Sequence, residues 1–476
     1  MAGWLTPTGV EGLDAVLAGG FPRGSLVVLA GCPGTGKTSF SAQFLYRGCV
    51  DYGESGVYVS FAESKETFYM NMRSMGCDFE RLEKDGRFRF LELLTVKEEG
   101  IPYAAEMILK VVEEAGAKRL VIDSLSAMAQ AFREPHEVRV LLHSILGKIC
   151  RSLGCTALII TEASYENTVA YGAEGFVADG ILLLKKNHLE GGRHLRLLEI
   201  VKMRGTPTPE TQTVFTLKDG FKAFPPFKAK PIDKPQRFKP QHDTEQFFST
   251  GSPDLDVMLG GGYPTGSTAL IEIEEHISLL QYQLIVVPTL WNFLTQGRGV
   301  IVIPSAGLDH NRVTRTAELG GLTSKEINNL LKICIKGYPG IQLKPNNIAF
   351  KGEDISEEYK HYIEVEEELR RQTRQPILHV TGADMLIDIY GTRATLSTLI
   401  ACTTRVRANE DLKIILLKPG YPRLAKILAS MADVHLKITR EHGLPLVYGV
   451  KPRTGFYAIE MDTSQGYAMP KLTQII

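Results

Sequence analysis

The chain is 476 residues long, 44% hydrophobic and 23% charged, with 54 lysines and arginines balanced by 54 aspartates and glutamates. That length predicts two or three domains of ordinary globular composition. Zero formal charge excludes a field that would draw the whole molecule to nucleic acid or membrane, no apolar run approaches the ~20 residues that cross a bilayer, and the first residues lack the basic-then-apolar pattern of a secretory signal.

The first strong element is the apolar run Leu26–Ala30, read as a buried parallel strand. It leads into Gly31-Cys32-Pro33-Gly34-Thr35-Gly36-Lys37-Thr38, which fills the pattern G-x-x-x-x-G-K-[ST]. Residues 40–46 then read as a helix ending near Gly48. Strand, glycine turn and helix together aim backbone N–H groups at phosphate oxygens. Gly31, Gly34 and Gly36 let the backbone approach a ligand, and Cys32, Pro33, Thr35 and Ser39 complete the stretch. Lys37 is placed to neutralise the β- and γ-phosphates of ATP, and the Thr38 hydroxyl to ligate Mg²⁺. Cys32 reads as filler or as a point of redox control. The seven cysteines form no C-x-x-C pair, which predicts free thiols in a reducing, cytoplasmic compartment.

Residues 57–61 form the next strand, followed by Glu63. A carboxylate there orients or deprotonates an attacking water, or else caps a helix. The strand 119–123 ends in Asp123, suited to the Mg²⁺ shell or to a helix cap. Strand 156–161 ends near Thr161 and Glu162, positioned to sense a γ-phosphate. Strands at 180–185 and 195–202 complete the alternation expected of a parallel α/β domain over residues 1–220.

Residues 221–244, rich in proline and lysine, read as a stiff exposed linker. The sequence then repeats itself. Thr8-Gly9-Val10-Glu11-Gly12-Leu13-Asp14, with Gly19-Gly20-Phe21-Pro22, is echoed by Thr250-Gly251-Ser252-Pro253-Asp254-Leu255-Asp256, with Gly261-Gly262-Tyr263-Pro264. A period of domain size means duplication, with the second copy at 245–476. Where copy one has its glycine loop, copy two has Ile273-Glu274-Glu275-His276-Ile277-Ser278. The glycines and the lysine are gone, and two carboxylates repel phosphate. Its strands at 300–303 and 377–381 end without an acid. A helix over 357–374, with Glu366–Arg370 and Glu367–Arg371 at i,i+4, reads as a solvated surface.

Residues 5–220 resemble a KaiC-type ATPase domain of the RecA/RadA superfamily. The segments that carry this are Thr8–Asp14, the phosphate loop with Gln43-Phe44-Leu45-Tyr46, Phe61-Ala62-Glu63, Val121-Ile122-Asp123-Ser124, Phe176-Val177-Ala178-Asp179-Gly180 and Leu198–Thr206. The resemblance implies two α/β, RecA-like P-loop NTPase-type domains with mainly parallel central sheets, the second degenerate. It implies an ATPase whose site lies between subunits of a homo-oligomeric, hexameric ring, with Lys202 and Arg204 reaching the neighbour's phosphates; an exposed basic strand edge is the alternative. The family usually carries paired glutamates, whereas here Ala62 precedes a single Glu63, so hydrolysis is expected to be slow or to rest on Glu63 alone, and a scaffold that binds ATP without turnover is the alternative. An autokinase cycle on the second domain is not expected, and Lys451-Pro452-Arg453 reads as a relic or a ring contact. A weaker similarity is to GvpD-type archaeal regulators, in keeping with an unidentified regulatory protein partner. The segment 163–174 contains no lysine or arginine, so nucleic-acid binding of the recombinase kind is not expected.

Overall fold

The computed structural model describes residues 4–93, 101–129, 146–163, 177–337 and 343–476. The chain forms two compact units, Met1–Pro226 with Gln474–Ile476, and Phe227–Thr473. All seven cysteines are free thiols. Among the described residues no helix is long and apolar enough to cross a membrane.

In the first unit the strands of the main sheet are β1 (Leu26–Gly31), β2 (Gly56–Ser60), β3 (Phe88–Glu92), β4 (Arg119–Asp123), β5 (Thr156–Glu162), β6 (Gly180–Leu189), β7 (Arg193–Met203), β8 (Gln212–Thr216) and β9 (Lys222–Phe224). They form one sheet in the order β9-β8-β7-β6-β1-β5-β4-β2-β3. From β6 to β3 the pairing is parallel; from β6 to β9 it is antiparallel. β1 is apolar on both faces because both are covered: Val27 and Leu29 enter one core, Val28 and Ala30 another. The six strands expected from the sequence are present. β3, β8 and β9 are additional; β3 is a half-exposed edge and the other two are short.

The helix after the glycine loop, α1 (Lys37–Asp51), does not end near Gly48 but passes through it. A Cβ on Gly48 would stand 2.3 Å from the Cδ and Nε of Arg119, so glycine serves close approach here, not termination. Arg119 opens β4 and is fully buried. Its Nε pairs with Glu54 at 2.7 Å, its Nη1 donates to Phe44 O at 2.8 Å, and its guanidinium lies 4.6 Å from the Phe44 ring centre. A second helix, α2 (Lys65–Ser74), follows β2 and is capped by Ser64, which accepts from Thr67 N.

The second unit repeats the plan with one strand added. β10 (Ser267–Ile273), β11 (Val300–Ile303), β12 (Leu331–Lys336), β13 (Asn347–Phe350), β14 (Leu378–Gly382), β15 (Leu412–Leu417), β16 (Val434–Glu441), β17 (Leu444–Lys451), β18 (Tyr457–Asp462) and β19 (Met469–Gln474) lie in the order β13-β12-β11-β14-β15-β10-β16-β17-β18-β19. β13 is an added edge; every other strand has its counterpart. The repeated Thr-Gly motif has a structural role in both copies. Asp14 accepts from the Thr8 amide at 2.8 Å and hydroxyl at 2.6 Å, while Asp256 accepts from the Thr250 amide at 2.7 Å and the Ser249 hydroxyl at 2.6 Å.

Two further expectations are modified. The stretch 221–244 is exposed over most of 228–237, but 222–224 is β9 and Phe238 is buried in the second unit's core. The helix α4 (Ile355–Thr373), which follows α3 (Leu279–Thr295) in the second unit, is not simply a solvated surface. Glu366 is buried; it pairs with Arg370 at 3.1 Å as the spacing implies, and also with Arg405 at 3.0 Å. Arg405 further takes Glu367, at 3.0 Å.

Replacing Arg119 with alanine leaves the Glu54 carboxylate without its buried cation. We expect the first unit to lose about 3–5 kcal/mol of unfolding free energy, measured by urea titration; an unchanged midpoint would show that α1 is held by other contacts.

Candidate nucleotide-binding site

β1 delivers the chain to the loop at 31–38. The turn is closed by Thr35, whose hydroxyl and amide both donate to Cys32 O, at 2.8 and 3.3 Å. Gly36, at φ 102°, is the N-cap of α1, and no side chain among the described residues caps that helix. Its first-turn N–H groups are therefore left for an anion. Nothing lies within 4 Å of where a Gly34 Cβ would stand, and Pro33 and Gly34 are exposed, so the loop opens outward. Ser39 is half-buried in the first turn, and the Cys32 thiol donates to Ala163 O at 3.6 Å.

Lys37 folds back over this loop, its Nζ donating to Gly31 O at 2.8 Å and Cys32 O at 3.0 Å. Burial holds its ammonium below the ordinary lysine range, against the opposing fields of Glu162 and Asp123. The Thr38 hydroxyl donates to Asp123 Oδ2 at 3.3 Å, and the Tyr58 hydroxyl to the same oxygen at 2.6 Å. Burial raises the Asp123 carboxyl, while the bonds from Tyr58 and Thr38 and the charge of Lys37 restrain it. A hydroxyl and a carboxylate oxygen side by side are the hard donors that Mg²⁺ takes, so these residues fit the ion.

Glu63 leaves the end of β2 through a turn in which Ser60 Oγ accepts from Glu63 N at 2.9 Å and donates to Glu63 O at 2.7 Å. Asn71, on α2, donates to Glu63 Oε1 at 2.8 Å. Burial raises the Glu63 carboxyl, Asn71 opposes the shift and Asp123 adds to it. At the tip of β5, Ser126 Oγ meets Thr161 Oγ1 at 3.3 Å and accepts from Glu162 N at 2.9 Å, tying that tip to the segment after Asp123.

Among the described residues, the contacts given for Lys202 and Arg204 lie elsewhere. Lys202 Nζ donates to Ala178 O at 2.7 Å, and Arg204 Nη1 lies 3.7 Å from Asp179 Oδ1. Asp179 accepts from Leu26 N, at the start of β1, whereas the loop follows its end. The five-residue separation along the strand is roughly 17 Å. β7 runs antiparallel to β6, so its other end comes to the loop: Arg196 Nη1 donates to Gly34 O at 3.2 Å and Thr35 O at 3.5 Å. Phe176 and residues 164–174 lie outside the described residues.

In the second unit the same position is closed. α3 starts at a Ser278 cap with a complete capping box: Ser278 Oγ accepts from Gln281 N, and Gln281 Oε1 from Ser278 N. β14 ends without an acid, but Asp384 lies just beyond it, buried, accepting from Ser305 Oγ and Ala306 N at 2.9 Å each. It binds the ends of β11 and β14 to each other.

Residues 6–223 match the family model described as the KaiC ATPase. The first unit is a KaiC-type ATPase domain. The circadian clock oscillator protein KaiC of Synechococcus elongatus is 33% identical over 266 residues, 54% of this chain and 49% of that protein. The KaiC of Acaryochloris marina is 34% identical over 275 residues, 56% of this chain and 51% of that protein. The chain thus spans about half the length of the curated relatives it matches. A crystal structure of a KaiC-like protein from Pyrococcus horikoshii OT3 is 34% identical, covering 46% of this chain and 98% of its own, with a TM-score of 0.42.

Within the KaiC-type domain, three residues near the loop were not singled out by sequence. Tyr58 reads as a core strand residue, Asn71 as one polar residue of a helix, and Arg196 as one cation of several along β7. Removing the Asn71 amide, as Asn71→Ala, should push the Glu63 carboxyl still higher, because the bond that favours its charged form is lost. NMR titration of the Glu63 carboxyl carbon measures this; an unmoved midpoint would show that the bond does not hold in solution.

Proposed function

We propose that this protein binds ATP with Mg²⁺ at the first unit and hydrolyses it, at a site completed by the neighbouring copy in a homo-oligomeric, hexameric ring. The observation that carries this is the uncapped start of α1, with Lys37 over the loop and the Thr38 hydroxyl 3.3 Å from Asp123. Residues 31–39 cradle the phosphates through backbone N–H groups. Thr38 and Asp123 would hold the ion, and Mg²⁺ there would offset the charge of the phosphates. Lys37 exchanges its two carbonyl partners for phosphate oxygen. Glu63 orients the attacking water and accepts its proton, alone, because its neighbour is Ala62 and not a second acid.

The separation along β1 supports assigning Lys202 and Arg204 to a neighbour's phosphates. Cations supplied in this way contribute roughly 10³–10⁵ in rate in phosphoryl transfer. The second unit, with its loop capped and its acid turned to a structural bond, runs no autokinase cycle. It serves as the output or assembly module of a regulatory ATPase acting on a protein partner in the cytoplasm. Balanced charge supports a partner other than nucleic acid.

Lys37→Ala should lower Mg²⁺-dependent ATP hydrolysis at least about 100-fold, and native mass measurement should show ring assembly with ATP. ATP-loaded protein without turnover would sink the enzymatic reading. A proton acceptor must be ionised, so a raised Glu63 carboxyl moves the acid limb of the rate profile upward: hydrolysis should rise with pH through a midpoint above that of a free glutamate. A flat profile would remove Glu63 from that role.

A further inference from the structure

Asp179 uses its two carboxylate oxygens differently. Oδ2 accepts from Leu26 N at 3.0 Å while the Asp179 N–H donates to Leu26 O at 2.8 Å, which fastens the residue to the head of β1. Oδ1 faces Arg204 Nη1 at 3.7 Å, and the Arg204 N–H donates to Asp179 O at 2.8 Å. The next residue, Gly205, lies against the Trp4 ring: a Cβ there would stand 2.8 Å from it. Trp4 is 57% exposed.

The second copy supplies an internal comparison. Asp433 repeats the first half of this arrangement, accepting from Thr268 N at 2.9 Å and donating to Thr268 O at 2.9 Å. Lys451 Nζ donates to Ala432 O at 3.3 Å, as Lys202 does to Ala178 O. The other oxygen of Asp433, however, takes Arg407 at 3.0 Å, a cation from outside the K-x-R segment. The fastening to the strand is thus common to both copies, whereas the aspartate is paired with the K-x-R arginine in the copy that keeps the phosphate loop.

We infer that Asp179 is a positioning residue that parks Arg204 within its own subunit and releases it to the neighbouring subunit's nucleotide. The inference rests on the subunit-completed site proposed above. Both side chains are more than a third exposed, 59% and 37%, so the pair is weak and worth about two- to five-fold in an equilibrium. A polyphosphate presents more charge and bidentate oxygens to a guanidinium, and displaces a single carboxylate. Because Asp179 is fastened to the strand that runs into the phosphate loop, the parked position is attached to the subunit's own nucleotide site.

Asp179→Asn keeps an oxygen for Leu26 N and removes the charge that faces Arg204. We expect it to tighten equilibrium binding of ATP about two- to five-fold, and to have no effect in an Arg204→Ala background. An equal shift in both backgrounds, or none in either, with Arg204→Ala itself weakening binding, overturns the parking while leaving the shared site intact. If Arg204→Ala alters neither binding nor hydrolysis, the shared site falls and this inference with it. An independent measurement needs no change at Asp179. The chain has two tryptophans, so a Trp291→Phe protein reports Trp4 alone, and ATP should shift its emission as the Arg204 side chain, next to the Gly205 contact, leaves Asp179. A constant emission on assembly with ATP overturns the proposal.

Discussion

The geometry of the first unit depends on one buried cation. Arg119 begins the strand that ends in Asp123, and its guanidinium lies under the helix that begins with Lys37 and Thr38. The pairing with Glu54 and the bond to Phe44 O set how far that helix stands from that strand. At the other end of both elements, this is the distance between the Thr38 hydroxyl and the Asp123 carboxylate. A buried ion pair is a poor source of stability compared with apolar packing; its advantage here is directional. It ties together the two elements that carry Thr38 and Asp123, the residues proposed to hold Mg²⁺.

Much of this was legible from sequence because it is local. The phosphate loop is contiguous, and its flanking strand and helix are its immediate neighbours. Asp123 and Glu63 could be placed because a carboxylate just past an apolar strand in a parallel sheet comes to the edge where the loop lies. The duplication was legible in the Thr-Gly and Gly-Gly motifs, which recur because each copy needs the same aspartate-bonded turn.

What was missed depends on partners far away in the chain. Gly48 reads as a helix stop; nothing local reveals that the Arg119 side chain needs its missing Cβ. Glu366 and Arg370 announce each other by i,i+4 spacing, but Arg405, which makes that glutamate a buried junction, lies on another helix. Arg196 is one cation among several on β7, and its approach to the loop follows from antiparallel register, which no single segment encodes. The stretch 221–244 has the composition of a connector, yet Phe238 lies in a core, because one aromatic suffices to anchor an otherwise solvated strand of chain.

The capping box at Ser278 makes the closed helix start of the second unit self-sufficient. A helix whose first N–H groups wait for phosphate is less stable without ligand than one whose donors are bonded to a serine and a glutamine; such a cap is worth about 1 kcal/mol. Any single substitution from this cap toward a glycine loop would remove working hydrogen bonds before a phosphate contact could replace them. That position is therefore held shut by local stability as well as by its residues: the same fold in two copies has one helix start that stands alone and one that is completed only by a ligand.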